Sequence, residues 1–176
     1  MRHHSLKCVR VRARPGLPTQ GLILAAWVQW RVALGRSGIR ADKREGDGGT
    51  PRGHFRPRQV WWRADRGPRP ATSLPVRRIG PADAWCEDPG DRRYNRPVLL
   101  PAHAGGDRLW RKDRVYDLIV EIDHNTRPRV PHRGSAVFIH VAQPDFRPTA
   151  GCVALKSAHL RRLVARLDRH TRIVIG

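Results

Sequence analysis

Regular alternation along short segments is the sequence feature that most constrains how this chain can fold. In residues 28–34 every second position is apolar: Val28, Trp30, Val32 and Leu34. In residues 135–141 one face carries Val137, Ile139 and Val141, and the other carries Ala136, Phe138 and His140. A period of two is typical of β-strands, because successive side chains of a strand point to opposite faces of the sheet. The alternation therefore predicts a fold built from β-strands.

Four further segments are predicted as strands, at residues 6–12, 55–62, 114–122 and 171–175. One late α-helix is predicted after residues 151–155, with Ser157 as its N-cap and a stripe of Leu160, Leu163, Val164 and Leu167 at helical spacing. Glycine and proline together number 31, which favours turn-rich β-structure over a helical bundle. The sequence thus predicts a single, mainly β domain over residues 1–176, with residues 1–4 disordered.

Two long segments show neither the two-residue period of a strand nor the apolar spacing of a helix. Residues 35–53 are dense in glycine and charge and are predicted to form a long loop or a wide hairpin. Residues 64–94 contain five prolines, and a connection of this length is usually functional or wraps the domain. Residues 123–126 follow a predicted strand; a turn is favoured there, and a place in the lining of a site is the alternative. Trp61, Trp62, Trp85 and Trp110 are predicted to pack in the core, with a groove for an extended peptide as the alternative.

The net charge of +20 comes from 35 basic residues, of which 31 are arginine. A basic chain meets anionic partners, but these arginines are scattered and lack the interleaved aromatics of a groove for single-stranded nucleic acid. We therefore predict a solvated basic surface with no dedicated nucleic-acid site. The longest uncharged stretch, residues 15–30, is too short and too polar for a transmembrane segment.

Cysteine and histidine placement points to one candidate site. The three cysteines include no C-x-x-C pair, and the spacings of the histidines match no metal motif, so neither a disulfide framework nor a metal site is predicted. His140 ends a predicted strand, and Cys152 follows Gly151 after a proline-rich loop. A thiol needs a base within reach and donors for an oxyanion, and N–H groups around Ala150 are suitable donors. Taken alone, the spacing also fits a buried structural cysteine and a strand-end histidine.

Two sequence blocks carry a resemblance to a known family. The run Ile-His-Val, a spacer and Thr149-Ala150-Gly151-Cys152-Val153 resembles the signature of the L,D-transpeptidase catalytic domain, the YkuD-type fold. Upstream, the glycine-rich run that leads to Thr50-Pro51-Arg-Gly-His-Phe resembles the early stretch of the same family. The spacer is shorter than in familiar members, and Ala150 and Ala154 replace the usual histidine and asparagine or arginine. These departures identify a divergent subgroup.

The resemblance implies a fold, an activity and the roles of several residues. It implies a β-sandwich-like domain that needs no cofactor and acts on peptidoglycan stem peptides. Cys152 would attack the amide at the meso-diaminopimelate centre, expel D-alanine and pass the acyl group to an amine or to water, with His140 as base. The Val141 carbonyl would orient the imidazole, and backbone around Ala150 and Gly151 would hold the oxyanion. Substrate contacts are expected from the following residues: Thr149, Arg147, Lys43 and Arg44.

The same resemblance implies partners and a location. Acylation by β-lactams such as carbapenems is expected, and the implied location is the periplasm or cell wall. No secretory signal is recognisable in residues 1–30, which leaves a cytoplasmic location open. Two other functions also remain open at this point: a basic, non-catalytic module that binds nucleic acid or wall polymer, and an L,D-carboxypeptidase of the same fold.

Overall fold

The structure is a computed structural model that describes residues 5–100 and 106–176, so the disorder predicted for residues 1–4 lies outside the described part. The described chain is mainly β, as predicted, with one α-helix, α1, at Ser157–Val164. The strands are β1 (Cys8–Arg14), β2 (Leu17–Ala25), β3 (Val28–Ala33), β4 (Ile39–Arg40), β5 (Thr50–Pro51), β6 (Gly53–Phe55), β7 (Pro57–Trp62), β8 (Val76–Arg78), β9 (Asp83–Cys86), β10 (Pro97–Leu99), β11 (Gly106–Arg108), β12 (Leu118–Ile122), β13 (Phe138–Val141), β14 (Val153–Leu155) and β15 (Arg172–Ile175).

Ten strands form one curled sheet in the order β6-β15-β1-β2-β3-β14-β13-β12-β7-β8. Its inner face packs around α1 in one continuous apolar core. The predicted helical stripe lies in this core, where Leu160, Leu163, Val164 and Leu167 are all buried. Val137, just before β13, and Ile139 and Val141 within it face the same core, whereas Ala136 and Phe138 face the other side. The predicted division of this segment into two faces is confirmed.

The outer face of the sheet is covered over only half its width. A second, three-stranded sheet, β10-β9-β11, packs on the outer face of β7, β12 and β13. We call this second sheet the cap sheet. Trp85 of β9 makes edge-to-face contacts with Trp61 of β7 and Phe138 of β13 at ring-centroid distances of 6.1 and 4.9 Å. The covered half therefore has apolar cores on both faces.

Strands β6, β15, β1, β2 and β3 form the other half of the same sheet. Their inner residues, such as Val9, Val11 and Ile23, are fully buried. Their outer residues on β1, such as Arg10 and Arg12, are exposed. On β3, the outer Arg31 is exposed but lies over the Phe146 ring at 4.5 Å. We call this outer surface the bare face.

Several local predictions need correction. Strand β2 was not predicted because its half-buried Leu22 and Leu24 are apolar on the outer side, which hides the alternation of the buried positions. Residues 35–53 do not form a hairpin, since Ile39 pairs with Thr50 in a parallel, not antiparallel, ladder. Ser157 begins α1 but does not cap it: the N-cap is Lys156, and no side chain caps this end.

Three further predictions concern a turn, a long irregular segment and a transmembrane helix. The turn predicted for residues 123–126 is present, and the Thr126 hydroxyl donates to the Asp123 carbonyl across it at 2.9 Å. Residues 64–94, predicted as irregular, contribute β8 and β9, and β9 becomes the central strand of the cap sheet. In the described part of the chain, no helix has the length and apolarity needed to cross a bilayer.

Candidate active site

A cavity of about 590 Å³ lies beside the cap sheet, and both residues of the candidate pair line it. His140 comes from β13, while Cys152 immediately precedes β14. Strands β13 and β14 are parallel neighbours, with His140 in register with Ala154. The loop between them leaves one strand end and returns to the start of the adjacent strand. Sheet pairing, rather than sequence proximity, thus brings Cys152 to the same cavity as His140.

The Cys152 thiol is held by backbone groups. Its Sγ accepts a hydrogen bond from the Phe138 N–H at 3.3 Å and donates to the Ala136 carbonyl at 3.2 Å. Ala136, whose carbonyl accepts the hydrogen bond from the thiol, has a positive φ of 49°. Such a φ is uncommon for a residue with a side chain. Cys152 is only 7% exposed.

The turn before Cys152 is braced by Thr149. Its hydroxyl donates to the Cys152 carbonyl at 2.6 Å and accepts the Gly151 N–H at 3.1 Å. The expected oxyanion role of the Gly151 N–H is therefore not available in this geometry. Among the described residues, the N–H groups of Ala150 and Cys152 have no acceptor, so these two remain as donors.

The glycine-rich loop, residues 35–53, holds this turn through backbone contacts. Thr149 N–H donates to the Leu34 carbonyl, and Arg36 N–H donates to the Thr149 carbonyl, both at 2.9 Å. Gly151 has a φ of 143°, and a Cβ at this position would lie 2.8 Å from the Gly49 carbonyl oxygen. Only glycine allows this approach. The two sequence blocks that carry the resemblance are thus in direct contact.

The imidazole of His140 is buried and has a defined tautomer. Nδ1 lies 2.9 Å from the Val141 carbonyl oxygen. A carbonyl can only accept, so Nδ1 carries the proton and Nε2 keeps its lone pair. The Tyr116 ring packs edge-on against the imidazole at 5.3 Å and helps to fix its plane.

Burial moves the pKa values of the thiol and the imidazole in opposite directions. It raises the pKa of Cys152 to about 12, with the negative charges of Asp107 and Glu87 adding to the effect and the Phe138 N–H and Lys43 opposing it. Burial lowers the pKa of His140 to about 4, while the Val141 carbonyl opposes that shift. A neighbouring imidazole and Arg147 would by themselves lower the pKa of the thiol. The structure instead has both groups neutral at pH 7, because desolvation disfavours their charged forms.

The predicted substrate-binding residues are placed differently from one another. Lys43 lines the cavity and is only 7% exposed; its ammonium donates to the Arg44 carbonyl and to Asp47, each at 2.6 Å. Arg44 does not line the cavity, and its exposed guanidinium pairs with Asp42. Arg147 lines the cavity from an exposed position, where it pairs with Asp145.

The cap sheet supplies acidic groups that the sequence analysis did not identify. Asp107 of β11 accepts a hydrogen bond from the Tyr116 hydroxyl, and Arg111 lies 3.3 Å from its carboxylate. Burial raises the pKa of Asp107. Glu87 is exposed at the cavity rim, yet partial desolvation and the charges of Asp107 and Glu45 raise the pKa of its carboxyl to about 7.

Side chains considered at the sequence level as alternatives lie elsewhere. Trp61, Trp62 and Trp85 are buried in the two cores, as predicted, while Trp110 is half-buried against one of them. None of the four lines the cavity. Cys8 lies on β1 and Cys86 on β9, both outside the cavity lining. Within the described ranges, no cluster of histidine, cysteine, aspartate or glutamate has the arrangement of a metal site.

A comparison with protein-family models adds an independent finding. The model described as the L,D-transpeptidase catalytic domain, YkuD, matches residues 23–175. No curated protein and no solved structure matched the chain. The family match covers nearly the whole chain, including the glycine-rich loop, β13 and the turn before Cys152. This chain belongs to the L,D-transpeptidase catalytic domain family.

Proposed function

We propose that this protein is a cysteine-dependent acyltransferase of peptidoglycan stem peptides, with Cys152 as nucleophile and His140 as general base. The observation that carries the proposal is the buried thiol of Cys152, fixed by Phe138 and Ala136 in the cavity that also receives His140. Members of the family act on stem peptides and are typically found in the cell wall or periplasm.

The tautomer of His140 suits it for the role of base. Because Nδ1 donates to Val141, Nε2 is free to take the thiol proton as sulfur attacks the amide carbonyl. The resulting imidazolium then protonates the amine of departing D-alanine, leaving a thioester on Cys152. An incoming amine, or water, attacks the thioester and loses its proton to Nε2. The bond between the acyl carbon and the Cys152 sulfur then breaks, and the imidazolium returns the proton to the sulfur.

The resting protonation states support proton transfer during attack rather than a preformed ion pair. A thiol with a pKa near 12 and an imidazole with a pKa near 4 are both neutral at pH 7. Charge then develops only as the substrate carbonyl is attacked. The N–H groups of Ala150 and Cys152 are positioned on the turn where they would stabilise the developing oxyanion.

The cavity has charges of both signs, which suits a zwitterionic peptide. Lys43, Arg36 and Arg147 supply cations on the side of the glycine-rich loop and the turn. Glu87 and Asp107 supply carboxyl groups from the cap-sheet side, and Glu45 supplies one from the glycine-rich loop itself. Within a stem peptide, meso-diaminopimelate carries one free ammonium and one free carboxylate, so each group would meet a partner of opposite charge.

The decisive assay measures D-alanine release from a meso-diaminopimelate tetrapeptide. Cys152→Ala is expected to abolish release while leaving the thermal unfolding midpoint close to that of the wild type. Cys8→Ala, which removes the half-buried thiol of β1, is the matched control and should retain the rate. Retained release by Cys152→Ala would remove this residue from the mechanism. Cross-linked and hydrolysed products, separated by chromatography, distinguish transfer to an amine from transfer to water.

A further inference from the structure

The bare face is the largest part of the molecule that the proposed function does not use. It is formed by five neighbouring strands, β6, β15, β1, β2 and β3. None of these strands contains an aspartate or a glutamate, and the first acidic residue of the whole chain is Asp42. The bare face is therefore cationic without internal neutralisation.

Strand register places the arginines of this face in adjoining rows. Arg10, Arg12 and Arg14 lie at alternate positions of β1 and are exposed. Arg12 is opposite Leu22, and Leu22 is opposite Arg31 on β3. In the described part of the chain, Arg10, Arg12 and Arg14 make no ion pair. By contrast, arginines of the covered half, such as Arg63 and Arg66, are paired with aspartates at 2.7 Å.

Partly exposed apolar groups lie among these arginines. Leu22 and Leu24 on β2 and Val174 on β15 are half-buried and face outward. Arg10 lies between Leu24 and Val174 in the register. On the bare face, cationic and aliphatic side chains are therefore direct neighbours.

The hairpin between β2 and β3 ends in an exposed tryptophan. Ala25 pairs with Val28, so Ala26 and Trp27 form a two-residue turn. Such turns favour glycine, asparagine or aspartate because they need positive φ values, yet here Ala26 adopts a φ of 55°. Trp27 is 98% exposed and Val28 is also exposed. Neither packing nor turn chemistry accounts for a tryptophan at this tip.

We propose that the bare face binds the surface of an anionic phospholipid bilayer, with Trp27 inserted at the level of the headgroups. Tryptophan is enriched at membrane–water interfaces, where its apolar ring and polar N–H both find partners. Unpaired arginines gain energy near acidic headgroups. A single aromatic tip on a cationic sheet suits a membrane better than single-stranded nucleic acid, which needs successive stacking platforms. The cavity with Cys152 lies beside the cap sheet on the covered half, and none of its lining residues belongs to β6, β15, β1, β2 or β3.

Sedimentation with phosphatidylcholine vesicles, with and without phosphatidylglycerol, tests this binding. The full-length protein should bind only the vesicles that contain phosphatidylglycerol, and high salt should weaken the binding. Each arginine near such a surface contributes a factor of about five, so Arg10→Gln/Arg12→Gln/Arg14→Gln should lower partitioning about 100-fold. Trp27→Ala should abolish the blue shift of tryptophan emission that vesicles induce, without changing the thermal unfolding midpoint.

A matched triple variant distinguishes a specific face from general attraction to negative charge. Arg92→Gln/Arg96→Gln/Arg127→Gln removes the same charge from exposed positions around a second cavity on the covered half. It should leave vesicle binding within a few-fold of wild type. Equal loss in both triples would overturn the proposal, as would binding to a generic DNA duplex that exceeds vesicle binding and is unaffected by Trp27→Ala. Both triples should keep the wild-type rate of Cys152 alkylation, which reports a folded site.

Discussion

The two halves of the ten-stranded sheet share one backbone pattern but differ in what lies on their outer face. On β12 and β13 the outward residues are Ile119, Phe138 and His140, and the cap sheet covers them. On β1 the outward Arg10, Arg12 and Arg14 are exposed, and no other element of the described residues packs on them. Alternation thus determines which residues share a face, and the second layer determines whether that face becomes core or surface.

The difference also shows why the candidate chemistry lies on the covered half. A thiol and an imidazole in a site walled by the cap sheet lose their hydration and stay neutral. The same side chains on the bare face would be solvated. The cap sheet is therefore as much a part of the candidate site as the strands that carry Cys152 and His140.

The largest expected effect contrasts the packing of the two halves. Phe138→Ala removes a ring that is 2% exposed and contacts Trp85 and Tyr116, so we expect it to lower the free energy of unfolding by about 3–5 kcal/mol. Arg12→Ala on the bare face should change it by less than about 0.5 kcal/mol. Urea unfolding at pH 7 measures both. Similar values for the two variants would contradict the division into a covered and a bare half.

The next effect concerns activity and compares two histidines of the sheet. His140→Ala should lower kcat/KM for the tetrapeptide at least about 100-fold, because general-base assistance is lost. His54→Ala, at an exposed position on β6, should leave kcat/KM unchanged. Steady-state kinetics with folded variants provide the test. An unaffected His140→Ala would show that another group takes the thiol proton.

The pH dependence of kcat/KM tests the desolvation of the pair. Since burial lowers the pKa of His140 to about 4, the base stays unprotonated until the pH falls to that range. We therefore expect a rate that is flat from neutral pH down to about 5 and falls about tenfold per unit below about 4, with an apparent pKa that belongs to the pair. An acid limb near the ordinary histidine value of about 6.5 would indicate a solvated imidazole or a preformed ion pair.

The smallest effect separates two neighbouring residues of the glycine-rich loop. Lys43→Met keeps the aliphatic stem that lies near Gly134 and Gly151 but removes the charge in the cavity. It should raise KM about tenfold, in line with loss of a charge-assisted contact, and lower kcat less. Arg44→Ala should change neither parameter, because Arg44 is exposed and paired with Asp42. A larger effect for Arg44 would place the substrate outside the cavity described here.

The sequence was most informative where local pattern and local structure coincide. The alternation in residues 28–34 and 135–141 predicted β3 and β13, and the helical stripe predicted α1. Strand β2 was missed because apolar side chains occupy both of its faces. The motif around Cys152 singled out one of three cysteines, since only there do glycine, threonine and an upstream histidine occur together.

The position of Asp107 in the cavity could not be predicted from a local pattern. Asp107 reaches the site only because β11 pairs with β9, which aligns it with Trp85. No local pattern encodes a pairing between strands about twenty residues apart, because its stabilisation comes from tertiary contacts. The protonation state of Cys152 was also out of reach, since its pKa depends on how completely the cap sheet removes water from the thiol.

Intact-mass analysis after incubation with a carbapenem, followed by peptide mapping, tests most directly whether Cys152 is the nucleophile. We expect one covalent adduct per chain, located on the peptide that contains Cys152. The adduct should be absent from Cys152→Ala and present in Cys8→Ala and Cys86→Ala. An adduct that persists in Cys152→Ala, or that maps to either of the other cysteines, would contradict the assignment of Cys152 as the nucleophile.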